Sequence, residues 1–166
     1  ETEVNGWIQS VVDVISYFKR IIVLDSFRFE HSGLFLARHQ QKDDEKIKDE
    51  FLNKVKTFFA TLKVGDPMDS STNVAPLSTE SAAEGVVAQI NKAAQQGAHI
   101  LLGGKRMNRK GAFVEPTLIT DITPEMDAYY EEIFGPVFML YSYKNIDEAI
   151  AIANATTFGL GGTVFG

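Results

Sequence analysis

Apolar positions along the chain switch between two periods, and each switch marks a boundary between elements. Trp7, Ile8, Val11, Val12, Ile15 and Phe18 recur every three to four residues with Ser10, Asp13 and Ser16 between them, which predicts an amphipathic helix over Trp7 to Phe18. Ile21 to Leu24 is a continuous apolar run closed by Asp25 and Ser26, the pattern of a short buried strand. No single period organises Phe27 to Arg38. His39 to Glu50 is dominated by Lys, Asp, Glu and Gln and reads as a solvated helix start or a mobile loop. Leu52, Val55, Phe58, Phe59 and Leu62 then give a helix one apolar face, and Gly65 and Pro67 stop it.

After a turn-rich linker from Gly65 to Pro76, Ser78 is the expected N-cap of a helix whose buried stripe is Val86, Val87, Ile90, Ala93 and Ala94. Gly97 is suited to close that helix in a left-handed conformation. Strands are expected at Ala98 to Leu102 and, beyond a basic loop, at Phe113 to Ile119. Thr123 and Pro124 mark the start of a short helix, since proline lacks an amide that would be orphaned there anyway. Val137 to Tyr143 predicts another strand, Asn145 and Glu148 a capping pair for a helix ending at Asn154, and Thr163 to Phe165 a last strand. Helices and strands alternate over short connections, so the fold class expected is α/β, with a largely parallel sheet flanked by helices. No internal repeat is present.

Composition narrows the partners. The chain has 166 residues, 45% of them hydrophobic and 23% charged, which suits one globular domain with a sizeable core. Its 22 acidic against 16 basic residues give a net charge of −6, the wrong sign for a surface that neutralises phosphates, so nucleic acid is not an expected partner. No apolar run is long enough to span a bilayer and the first residues are acidic and polar, from which a cytoplasmic location follows by default. Cysteine is absent, so the chain carries no disulfide, no thiolate metal site and no thiolate nucleophile.

Five blocks carry a resemblance: Leu62 to Asp69 (LKVGDPMD), Ala75 to Ser78 (APLS), Phe113 to Pro124 (FVEPTLITDITP), Glu131 to Val137 (EEIFGPV) and Asp147 to Phe165 (DEAIAIANATTFGLGGTVF). In this order and spacing they resemble the aldehyde dehydrogenase superfamily, and EEIFGPV is the most specific of them. The APLS and GLGG variants most resemble the bacterial succinate-semialdehyde dehydrogenase-like branch. The resemblance implies an incomplete catalytic domain over residues 1–166, with 51–166 well matched, 1–50 poorly matched and the dinucleotide-binding domain absent. It also implies an oxidoreductase that turns an aldehyde into a carboxylic acid with NAD or NADP.

In that family the second Glu of EEIFGP binds the nicotinamide ribose hydroxyls and its Phe packs near the nicotinamide, which makes Glu132 and Phe134 the candidate cofactor-binding residues. A carboxylate accepts two hydrogen bonds from a vicinal diol, and an aromatic ring offers an apolar wall to a planar heterocycle. The competing reading is that Glu131 and Glu132 are solvated and Phe134 belongs to the core. The family's chemistry requires a cysteine thiolate that adds to the aldehyde before hydride leaves. Where relatives carry it, a few residues before the strand opened by Lys19 and Arg20, this chain has Val12, Asp13, Val14, Ile15 and Ser16.

Ser10 and Ser16 are poor substitutes, because an unassisted hydroxyl is hardly ionised near neutral pH. The general-base Glu of an ELGG-type string is missing, and Phe27 to Lys48 interrupts the usual passage from strand to helix. No catalytic residue is therefore assigned, the chain alone is expected to be inactive, and its own affinity for NAD or NADP to be weak or absent. The alternative is a non-enzymatic interaction module, or a degenerate fragment, that self-associates or docks on full-length relatives through apolar faces left uncovered.

Other constellations have simpler explanations. Gly159, Gly161 and Gly162 lack the spacing of a dinucleotide fingerprint, and Gly103, Gly104 and Lys105 lack the long loop of a phosphate cradle, so turn chemistry accounts for both sets. His31, His39 and His99 stand far apart without Glu or Cys at ligand spacing, and Asp43, Asp44 and Glu45 are interleaved with lysines as on a solvated face. No metal site is assigned.

Overall fold

The computed structural model describes residues 51–155 in full and the backbone of 21–25, 32–38, 42–50 and 163–165. The predicted helix over Trp7 to Phe18 lies outside the described residues, as do Ser10, Ser16, His31, His39 and the Gly159 to Gly162 turn.

The elements in chain order are β1 (Ile21–Asp25), β2 (Ser32–Arg38), α1 (Lys42–Thr61), α2 (Glu80–Gln95), β3 (His99–Leu102), β4 (Thr117–Thr120), a 3-10 turn (Asp127–Tyr129), β5 (Val137–Tyr143), α3 (Ile146–Ala153) and β6 (Thr163–Phe165). The six strands form one sheet in the order β3-β4-β5-β2-β1-β6. β5 is flanked by parallel neighbours, with Val137 opposite both Thr117 of β4 and Ser32 of β2. The outer pairings, β3 with β4, β2 with β1 and β1 with β6, are antiparallel. The α/β class stands, and its sheet is parallel through the middle and antiparallel toward both edges, more mixed than the helix–strand alternation predicts. Alternation alone cannot reveal a mixed sheet, because β1 and β2 follow each other without an intervening helix and so pair as a hairpin.

Two apolar layers sandwich the β3, β4 and β5 part of this sheet, and β5 shows how. Its residues alternate in side, as the period of two requires. Phe138 and Leu140 join Leu118 of β4 under α1, where Phe51 and Phe59 are buried, and the Phe59 and Phe138 rings meet edge to face at 5.1 Å. Val137, Met139, Tyr141 and Tyr143 point to the opposite layer, built by Ala83, Val86, Ile90 and Ala93 of α2 and Ala149 of α3. Val87 is only half-buried and Ala94 is exposed, so the buried stripe of α2 is shifted one column from the expected one.

Local signals explain the element ends. Thr79, not Ser78, caps α2: its hydroxyl accepts a hydrogen bond from the Ala82 amide at 3.0 Å. Either hydroxyl is a competent cap, and the first helical residue is Glu80, which puts Thr79 in the capping position. Gly97 closes the helix at φ 113. Strand β4 starts at Thr117 rather than Phe113, because Pro116 has no amide to donate to a ladder. Upstream of it only the Arg106–Val114 bridge is formed. Thr123 and Pro124 open a turn and then the 3-10 segment rather than a regular helix. The capping pair of α3 is present: Asn145 Oδ1 accepts from the Glu148 amide at 2.9 Å, and Glu148 Oε2 reaches back to the Lys144 amide at 2.6 Å.

Candidate functional site

The EEIFGPV block ends the crossover from β4 to its parallel neighbour β5. Parallel strands need a long connection, usually helical; here residues 121–136 supply it with turns and a single 3-10 segment. The Glu131 amide donates to the Asp127 carbonyl at 3.0 Å, the Gly135 amide to Ile133 at 2.9 Å and the Val137 amide to Gly135 at 2.7 Å. Ile133 is fully buried in the α2 layer. Its neighbours on both sides are less buried, Glu132 partly and Phe134 largely exposed.

Phe134 is 66% exposed. The reading that placed it in the core is excluded, and its ring face is available to a ligand. Glu132 is half-buried, and its carboxylate makes no hydrogen bond or ion pair among the described residues. A carboxylate without a partner among the described residues and an exposed aromatic ring two positions on suit a ribose diol joined to a planar ring. The residues present therefore fit the nicotinamide end of a dinucleotide.

Glu131 is engaged with protein instead. Its Oε2 accepts from Gln89 Nε2 at 3.2 Å, and its Oε1 lies 4.0 Å from Lys92 Nζ. Gln89 Nε2 also reaches the main-chain carbonyl of Glu132, at 3.3 Å. One turn further along α2, Lys92 Nζ sits 2.6 Å from Asp127 Oδ2, while Gln96 both donates to that carboxylate at 2.9 Å and accepts from the Asp127 amide at 3.0 Å. The Lys92 hydrogen bond, with help from Gln96, holds the Asp127 carboxyl below its usual range, and the same contact raises the Lys92 ammonium. Gln89, Lys92 and Gln96 escape sequence reasoning because they look like an ordinary solvated helix face. Their one signal is a polar ridge at three- and four-residue spacing beside the buried stripe.

The other singled-out residues do not join this site. His99 Nδ1 pairs with Asp121 Oδ2 at 2.8 Å at the sheet edge, and Asp43, Asp44 and Glu45 fall in the first turn of α1. Gly103, at φ 68, lies so close to Pro116 that an added Cβ would sit 2.3 Å from its carbonyl oxygen, which is turn chemistry and not a cradle. Among the described residues no group of three or more His, Cys, Asp or Glu could hold a metal, and no helix is long and apolar enough to cross a membrane. The linker after α1 is more ordered than its composition suggests. Asp66 and Asp69 side chains accept from the Met68 and Ser71 amides, Lys63 binds Asp69 at 2.8 Å, and Val64 bridges Val74.

Comparison with known proteins gives this arrangement its class. The model of the aldehyde dehydrogenase family matches residues 44–166, and the chain belongs to that family. Within it, the chain is 48% identical over 121 residues to the succinate-semialdehyde dehydrogenase [NADP(+)] of Deinococcus radiodurans, covering 73% of this chain and 25% of that protein. It is 54% identical over 115 residues to that of Mycobacterium leprae, covering 69% and 25%. The solved succinic semialdehyde dehydrogenase of Streptococcus pyogenes, in complex with NADP+ as the cofactor, superposes with a TM-score of 0.64 at 38% identity, covering 75% of this chain and 26% of that one. The aldehyde dehydrogenase 21 of Physcomitrella patens, in complex with the reaction product succinate, gives the same TM-score and identity over 75% and 24%. The chain thus spans about a quarter of the length of the relatives it matches.

Proposed function

We propose that these residues are part of the catalytic domain of an NAD(P)-dependent aldehyde dehydrogenase that oxidises succinate semialdehyde to the acid. The observation that carries the reading is the EEIFGPV turn, with the Glu132 carboxylate unpartnered among the described residues and Phe134 exposed, inside a stretch about half identical to succinate-semialdehyde dehydrogenases. Glu132 would accept hydrogen bonds from the ribose hydroxyls, and the Phe134 ring would supply an apolar wall for the nicotinamide. When bound, the nicotinamide is the hydride acceptor. The part of this chain is to orient that ring and to exclude water from one side of it.

The nucleophile is not among the 166 residues, since none is cysteine. Addition to the carbonyl needs an ionised atom that a lone serine does not provide, so these residues by themselves are inactive and bind dinucleotide weakly at most. The test is a transplant of residues 44–166 into the matching stretch of a succinate-semialdehyde dehydrogenase [NADP(+)]. NADP-dependent oxidation should persist, with KM for NADP within about tenfold of the parent. A folded transplant without activity would overturn the reading. Acid production from an aldehyde by the unaltered chain alone would overturn the statement of inactivity.

A second reading, an interaction module, draws on Ile146 and Ile150, 58% and 50% exposed on one face of α3. It requires self-association that Ile150→Glu abolishes, read by light scattering; a monomer at all concentrations excludes it.

A further inference from the structure

Among the described residues, no hydrogen bond, ion pair or ring contact anchors the side chains of Glu132 and Phe134, so what fixes their direction there acts through the main chain that carries them. We propose that one ridge of α2 and its C-cap, formed by Val86, Gln89, Lys92 and Gln96, is a positioning surface that presets Glu132 and Phe134 for the nicotinamide ribose, with Gln89 as its central residue. The inference rests on the cofactor reading given above.

The four residues are spaced by three, three and four, which aligns them on one side of a helix. Each touches a successive point of the crossover. Gln96 and Lys92 hold Asp127 at its beginning. Gln89 binds the Glu131 carboxylate and the Glu132 carbonyl in its middle. Val86 seats Gly135 at its end, so closely that a Cβ there would lie 2.9 Å from Val86 Cγ1. A rigid element thus contacts the loop on both sides of Glu132 and directly at its carbonyl, while the Glu132 carboxylate and Phe134 ring stay free. Such an arrangement fixes direction without occupying the groups that bind.

Glu131 gains a role here as well. Its carboxylate accepts from Gln89 and lies near the Lys92 ammonium, so the first Glu of the pair takes the polar contacts of the helix, and the second carboxylate has no hydrogen-bond or ion-pair partner among the described residues. Gln89 acts through the loop and touches no substrate atom, so it is a positioning residue. Its length and its amide donor are what the geometry uses. A lysine keeps a donor at similar reach, whereas a methionine keeps the length and loses the donor.

The test has two arms. On the full chain, hydrogen exchange of the 131–135 amides is compared for the unaltered protein, Gln89→Met and Gln89→Lys. Gln89→Met should speed exchange in that loop about tenfold without changing β4 and β5, and Gln89→Lys should restore it. If Gln89→Met loosens the whole sheet, exposed Lys92→Ala is read in its place and must speed the 127–132 amides alone. In the transplanted enzyme, Gln89→Met should raise KM for NADP about threefold or more with kcat little changed. Unchanged loop exchange and unchanged KM, in a transplant whose KM still rises in Glu132→Gln, would overturn the positioning role and leave the cofactor reading intact. A KM indifferent to Glu132→Gln would overturn the cofactor reading, and the positioning role toward the ribose with it.

Discussion

Substituting Gly135 probes the seat of the crossover on α2 directly. Gly135 is not among the glycines with positive φ, so alanine can adopt its backbone and any cost comes from space alone. The added Cβ would stand 2.9 and 3.0 Å from the two Val86 methyl carbons, against about 3.5–4.0 Å for an unstrained carbon contact. Val86 is buried and β-branched on a helix, which leaves it essentially one rotamer and no way to turn aside. Overpacking of this kind costs about 1–3 kcal/mol, offset by about 0.4–1 kcal/mol because alanine narrows the unfolded ensemble. Gly135→Ala should therefore destabilise by about 1–2 kcal/mol. Val86→Ala alone removes two buried methyls and should cost about 2–3 kcal/mol in transfer and cavity terms. Combined, the clash disappears and the new methyl fills part of the gap, so the double variant should be at least about 1 kcal/mol more stable than the sum of the singles predicts. Urea unfolding followed by circular dichroism measures all three. A neutral Gly135→Ala, or strict additivity in the double variant, would refute the packing of this turn on α2.

Three further outcomes follow from the same geometry. Thr117, fully buried, accepts from the Gly104 amide at 2.9 Å and donates to the Glu115 carbonyl at 2.7 Å, so Thr117→Val leaves two groups unpaired and should cost about 1–3 kcal/mol in urea unfolding. Gly103→Ala meets a left-handed φ of 68 and the Pro116 carbonyl together, and should lower the thermal midpoint more than Gly135→Ala does. The Asp127 carboxyl is lowered in the folded state by Lys92 and then Gln96, so its contribution is complete above the ordinary carboxylate value of about 3.9 and is lost as pH falls through the lowered one. The urea midpoint should fall below about pH 4, and the fall should be shallower in Asp127→Asn; identical acid profiles would contradict the assignment.

The features legible in the sequence are those whose cause is local. The EEIFGPV turn, the Asn145 and Glu148 caps, the Gly97 stop and the apolar run of β5 depend on residues within a few positions of each other. Strand β2 escapes sequence reading because Ser32–Arg38 mixes Ser, Gly and Arg with too little alternation to stand alone, and its parallel partner β5 lies a hundred residues on. The boundary of β4 was misplaced for a related reason: Phe113 and Val114 are buried, but in a loop bridge and not a ladder. Glu132 and Phe134, the proposed cofactor residues, are reachable through their motif alone. Gln89, Lys92 and Gln96 are not, since only the tertiary position of the crossover distinguishes them from solvated residues.

That crossover also explains why a helix is given up where one is customary. A helical connection satisfies its own amides and carbonyls, and its side chains then radiate at fixed angles around an axis. An irregular one can turn a carboxylate and a ring outward while burying the residue between them, as Ile133 is buried between Glu132 and Phe134. Its polar backbone must then find partners elsewhere, because unpaired buried groups are costly. Short local turns satisfy part of that demand, at Asp127, Ile133 and Gly135, and the Gln89 and Gln96 amides of α2 satisfy the Glu132 carbonyl and the Asp127 amide. Polar side chains on the face of α2 and at its C-cap thus supply hydrogen bonds that a crossover helix would have supplied to itself.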